Sequence, residues 1–122
     1  MKGILRRLNI CLILVLIVLN GMTLISCSTS KCEEQRKLCI QLCDELISNN
    51  FQKSAKADEL ADKIGHIAYV PENDLEEEIQ HTALSLWLAY DEMMPKSYLS
   101  TTDRYHIIEK LRTIKRLLQN AH

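Results

Sequence analysis

The chain is 122 residues long, room for one domain at most, and carries 15 basic against 16 acidic residues. The charges are unevenly placed: Lys2, Arg6 and Arg7 come before any acid, and the first acidic residue is Glu33. Setting residues 1–26 aside leaves 12 basic against 16 acidic side chains, a net of about −4. That balance argues against a nucleic-acid partner, which would need a basic surface.

The basic start runs into an apolar core from Ile10 to Leu19, closed by Asn20-Gly21. This is the layout of a secretory signal peptide. The unbroken core has about half of the roughly 20 apolar residues that span a bilayer as a helix, so a cleaved signal is expected. An uncleaved single-pass anchor is the alternative, since both share one hydropathy pattern.

Leu24-Ile25-Ser26-Cys27 follows, with a branched apolar residue, a second apolar residue and a small residue ahead of a cysteine. It resembles the lipobox of bacterial lipoproteins. The resemblance covers only the leader and implies a lipid (diacylglycerol plus palmitate-type chains) on Cys27, which becomes the mature N-terminus. One acyl chain anchors marginally, and two or three hold firmly at about 0.8 kcal/mol per buried methylene. Ser28 after the cysteine, in place of Asp, implies sorting to the outer membrane, with the inner membrane as the alternative. The competing reading of Cys27 is an ordinary cysteine behind a soluble secretory signal. The expected organisation is thus a lipoprotein signal peptide at 1–26, a lipidated Cys27 with a polar tether at 27–31, and a helical domain at 32–122.

From Cys32 to Ile47 the apolar residues Leu38, Cys39, Leu42, Cys43, Leu46 and Ile47 recur at helical spacing, and Ser48-Asn49-Asn50 ends the run. Ser54 reads as the N-cap of a second helix through Ala57, Leu60, Ala61, Ile64, Ile67 and Ala68, closed by Val70-Pro71. Its small residues, Gly65 with Ala57 and Ala61, predict a neighbour at close range. A third helix starts at Asn73 or Asp74, with Glu76-Glu77-Glu78 matched to the helix dipole. Leu75, Ile79, Ala83, Leu86, Tyr90 and Met93 form one face of it. Leu84, Trp87 and Leu88 widen that face, which predicts that this helix is the central one; Pro95 ends it. A fourth helix begins around Thr101 to Asp103 and runs through Tyr105, Ile107, Ile108, Leu111, Ile114, Leu117 and Leu118.

The fold expected is all-α, a small bundle of about four helices. Residues 71–95 hold seven acids and no Lys or Arg, and the last helix is basic toward its end. The third and fourth helices are therefore expected to form an antiparallel hairpin, with the acidic start beside the basic end.

In one continuous helix Cys32, Cys39 and Cys43 lie near one line, with Cys32 and Cys39 about 10 Å apart, too far to bridge. An exported protein meets an oxidising compartment, so two bridges are open: a cysteine linking two copies into a homodimer, or Cys32 lying ahead of the helix and folding back onto Cys39. Plain packing of Cys39 and Cys43 as small apolar residues competes with both. A metal site from Cys39, Cys43 and one of His66, His81 or His106 is disfavoured by the spacing and the compartment. The glutamate run lacks the glycine and alternating oxygens of a calcium loop and reads as a solvated helix start.

No nucleophile elbow, phosphate loop or zinc signature occurs, and neither enzymatic activity nor a cofactor is expected. Leu84, Trp87 and Leu88 are the candidate partner contact, to be either covered by the second helix or left as a docking patch. The expected function is a protein-interaction module, accessory or pilot-like, facing the periplasm from a membrane of the cell envelope and holding an envelope protein. A protective lipoprotein of the immunity or entry-exclusion kind, binding an incoming protein, is the alternative.

Overall fold

The computed structural model describes residues 29–93 and 99–121. The leader, Cys27 and Pro95 lie outside them. Four helices follow in order: α1 (Ser30–Ser48), α2 (Ala55–His66), α3 (Asp74–Met93) and α4 (Thr101–Asn120). No strand occurs among the described residues, so the domain is a small all-α bundle.

Each helix begins on a side-chain cap. Thr29 Oγ1 accepts the Cys32 N–H at 3.0 Å, Ser54 Oγ that of Ala57 at 3.0 Å, Asn73 Oδ1 that of Glu76 at 2.9 Å, and Ser100 Oγ that of Asp103 at 3.1 Å. Each satisfies one of the four N–H groups that a helix start leaves without an internal partner. The Thr29 cap lengthens the first helix: Ser30 and Lys31, expected in the polar tether, belong to α1, and Cys32 lies in its first turn.

The end of α1 is a tight reversal. Phe51 N–H donates to Leu46 O at 2.7 Å and Asn50 N–H to Ile47 O at 3.3 Å, the paired bonds of a Schellman motif. Its accompanying apolar contact is supplied by Phe51 and Leu46, both buried. Asn50 and Phe51 have φ of 59° and 54°, a left-handed conformation that asparagine tolerates and an aromatic residue rarely adopts. Arg104, in the first turn of α4, donates through Nη1 to the carbonyls of Asn50 (3.1 Å) and Phe51 (2.6 Å) and holds the turn in place.

α2 stops at His66, earlier than the Val70-Pro71 boundary expected from sequence, and Ile67 is already extended. The reason lies in Tyr69. Its hydroxyl donates to Gln35 Oε1 at 2.9 Å, and its carbonyl accepts Gln80 Nε2 at 3.0 Å. The α2–α3 connection is thereby stretched between α1 and α3, which a continued helix would prevent.

α1 is the hub. It packs on α4, α2 and α3, and α2 also packs on α3. Its buried stripe is Cys32, Gln35, Arg36, Cys39, Leu42, Cys43 and Leu46. This corrects the expectation that α3 is central, and also the predicted α3–α4 hairpin. α4 runs antiparallel to α1, as Arg104 at α1's end and Arg36 Nη1 donating to Leu118 O at 2.7 Å at its start both require. The acidic start of α3 and the basic end of α4 reach the same end of the bundle, on different flanks of α1. The acidic partner of Lys115 is Asp44, on α1. Leu42, Leu46, Leu75, Ile79, Ile107, Ile114 and Leu118 fill the core, each buried apolar side chain contributing about 2 kcal/mol before entropy is counted.

Candidate functional site

Trp87 separates two hollows on the α2–α3 flank. The larger, about 440 Å³, is lined by Gln35, Ile64, Ile67, Glu77, His81 and Leu84 among others, and the smaller, about 260 Å³, by Lys53, Asp58, Ala61 and Asp91. Together they make a trough along the seam of the two helices. Small residues of α2, Gly65 in the larger hollow and Ala61 in the smaller, lie in its wall.

Gly65 sets the position of the indole. A Cβ there would lie 3.0 Å from Trp87 Nε1 and 3.4 Å from Cδ1. The glycine has no positive φ, so it is used for close approach and not for backbone freedom. The neighbour predicted from Gly65 and the alanines is thus Trp87. The indole is half-buried, neither fully covered nor fully presented. Leu84 and Leu88 flank it at 55% and 43% exposure, two large apolar side chains one turn apart on the solvent side of α3. The three residues expected as a partner contact therefore lie together, with Glu77 toward one end of the stripe and Asp91 at the other.

The smaller hollow contains a polar pair. Tyr90 hydroxyl donates to Asp58 Oδ1 at 2.5 Å, and Lys53 Nζ lies 3.0 Å from Oδ2 of the same carboxylate. The tyrosine hydroxyl first, and then the lysine, hold the Asp58 carboxyl below its ordinary range, while burial and the aspartate push the Tyr90 phenol up. The pair joins the start of α2 to the end of α3 and fixes one wall of the trough.

No cysteine lines either hollow. Cys39 and Cys43 carry free thiols with no exposed surface, packed inside α1's stripe, so they are not bridged to each other and Cys39 is not bridged to Cys32. Burial first, then the neighbouring Cys43 and Cys32, pushes the Cys39 thiol well up. Burial and Asp44 push Cys43 up to about 12, against a lowering by Lys115. Neither is placed to act as a thiolate nucleophile. Among the described residues no three His, Cys, Asp or Glu side chains are gathered where they could hold a metal ion. His66, His81 and His106 are all exposed.

Glu76 corrects the reading of the glutamate run as uniformly solvated. Glu77 is exposed, but Glu76 has no exposed surface. Its Oε1 accepts the Glu72 N–H and its Oε2 the Thr29 N–H, both at 2.9 Å. Asn73 and Glu76 form a variant of the capping box, a signal present in the sequence, with the glutamate reaching one residue beyond the cap and across to α1. Gln35, Arg36 and Thr82 are further buried polar groups that periodicity passes over, because a polar residue on an amphipathic helix reads as solvent-facing.

No helix among the described residues is long and apolar enough to cross a membrane. Comparison of the chain with known protein families, with curated proteins and with solved structures finds no match.

Proposed function

We propose that the chain is a bacterial lipoprotein, anchored through Cys27 to an envelope membrane, whose helical domain is a non-enzymatic protein-interaction module of the accessory or pilot-like kind. The observation that carries this reading is the apolar stripe of Leu84 and Leu88 beside Trp87 on the rim of the α2–α3 trough. A free-standing domain gains nothing from leaving two leucines one turn apart in water, and a protein partner would bury them. Spacing of this kind suits a helix laid into the seam of two others.

Two measurements test it. Palmitate labelling of the wild type, lost in Cys27→Ala, tests the anchor. Crosslinking in intact envelopes, followed by the same experiment on Leu84→Asp and Leu88→Asp, tests the surface. The expected outcome is a discrete crosslinked species lost in both variants while their melting temperatures stay within a few degrees of wild type. A crosslinked species unchanged in both variants would place the contact elsewhere.

A further inference from the structure

Cys27, the lipid site, and Thr29, the cap of α1, are two residues apart in sequence. Thr29 is already held twice, by capping α1 through its hydroxyl and by donating its N–H to buried Glu76. Two residues of chain reach at most about 7 Å, so a lipid on Cys27 would keep this end of the bundle at the headgroup layer. The trough begins at the same end. Glu77 adjoins Glu76, and Gln35 lies six residues along α1 from Thr29, about 9 Å of helix rise. Leu88 is twelve residues from Glu76 on α3, about 18 Å along the helix from that end. A lipid on Cys27 would therefore keep the near end of the trough within reach of the bilayer.

Its charge is net acidic: Glu77, Asp58, Asp62 and Asp91 line it against Lys53, which is paired with Asp58. Residues 71–95 contain no Lys or Arg, and Glu77 and Asp91 frame the apolar stripe of Leu84, Trp87 and Leu88. We propose that the trough receives a basic, leucine-rich amphipathic segment from a protein held in the same bilayer, close to where that protein leaves the membrane. This rests on the lipoprotein reading above. The short path from Cys27 to Thr29 acts as a selector. It holds the trough in the layer where membrane-held segments are concentrated and keeps it from reaching partners farther out. Two components confined to one surface meet at a high effective concentration, which a longer linker dilutes.

The test uses the lipidated full chain in phosphatidylcholine vesicles, with Trp87 as reporter, since it is the sole tryptophan. The probes are tryptophan-free amphipathic helices with leucine on one face and either lysine or glutamate on the other, each with or without a palmitoyl chain. The palmitoylated Leu/Lys peptide is expected to shift Trp87 emission at a concentration at least tenfold below that of the palmitoylated Leu/Glu peptide. Leu84→Asp, at an exposed position and with circular dichroism unchanged, is expected to abolish the shift. Inserting ten Gly/Ser residues between Ser28 and Thr29, a linker with a root-mean-square span of about 18 Å, is expected to weaken the response several-fold.

Equal responses to the Leu/Lys and Leu/Glu peptides would overturn the charge assignment. A response untouched by the insertion would overturn the selector. A full shift on vesicles without peptide would make the bilayer the occupant, and one that grows with protein density alone would make it a second copy; either overturns the proposal. Absence of palmitate on the wild-type protein would overturn the lipoprotein reading itself, and labelling separates that failure from the others.

Discussion

Oε2 of Glu76 accepts the backbone N–H of Thr29 at 2.9 Å, so one carboxylate at the start of α3 serves the starts of two helices. The other oxygen takes the Glu72 N–H ahead of its own helix. A negative group suits this position because two helix N-termini present partial positive charge to it. Glu76→Ala removes the acceptor of both N–H groups at a part-buried site. The expected loss is about 3 kcal/mol, read from the midpoint of urea unfolding at constant slope. Glu76→Gln keeps one acceptor and is expected to lose roughly half as much.

The Gly65–Trp87 contact gives a different kind of prediction. Gly65→Ala gains helix propensity, about 0.8 kcal/mol, but its methyl meets the indole at a distance that requires the ring to move a few tenths of an ångström. Because Trp87 is half-exposed it can yield. Stability within about 0.5 kcal/mol of wild type is expected, with Trp87 emission shifted to the red as the ring moves outward. Gly65→Leu cannot be accommodated that way and is expected to cost about 2 kcal/mol. An unchanged emission spectrum in Gly65→Ala would contradict the contact.

The buried thiols predict how stability depends on alkaline pH. In the fold Cys43 titrates at about 12, and in the unfolded chain near the ordinary 9.0. The protonated thiol is the form that the fold prefers. Its contribution is therefore complete below about pH 9 and is lost as pH rises toward 12, at up to about 1.4 kcal/mol per pH unit for each such thiol. Cys39 acts in the same direction. Chemical denaturation from pH 8 to 10.5 should show this fall, and the Cys39→Ala, Cys43→Ala double variant should flatten it. At neutral pH, alkylation of both thiols should proceed at the rate of opening, slow in water and fast in denaturant.

The left-handed pair after α1 can be probed from both sides. Asn50→Gly removes the residual cost of a positive φ and is expected to be neutral or to stabilise by a few tenths of a kcal/mol. Arg104→Ala deprives the Asn50 and Phe51 carbonyls of their donor and is expected to cost about 1–2 kcal/mol. Thermal melts of the two single variants and the double variant would show whether the clamp and the turn are coupled.

Much of the secondary structure was legible because it depends on local rules. Apolar spacing marked four helices, Ser54 announced its own cap, the third start was narrowed to Asn73 or Asp74, and the small residues around Gly65 announced a neighbour. The arrangement of the helices was not legible in the same way. α3 has the widest apolar face, which suggested a central position, but two of its leucines face solvent. α1 looks less apolar because Gln35 and Arg36 interrupt its stripe, yet those two are buried and bonded to Tyr69 and to the end of α4. A polar side chain is buried when a distant segment supplies its partner, and that is a property of the tertiary fold. Phe51 was passed over for a similar reason: its left-handed backbone is held by Arg104, 53 residues away. For the site, Leu84, Trp87 and Leu88 were identifiable as surplus apolar surface, and the Asp58–Tyr90 wall was not.

The attachment of α4 chiefly to α1 has a consequence for the order in which the domain opens. α1, α2 and α3 touch pairwise and form a closed triangle, while α4 relies chiefly on a single neighbour. Releasing it requires breaking the Arg36–Leu118 and Arg104 contacts at its two ends and the Asp44–Lys115 pair between them. Its amide protons should then exchange with deuterium through a partial opening that leaves the triangle closed, at a free energy below that of global unfolding. In that opened form Ile107, Leu111, Ile114 and Leu118 would be uncovered together with the side of α1 that carries Cys43. Such an opening would present a second apolar surface, on α4 and the face of α1 that it covers.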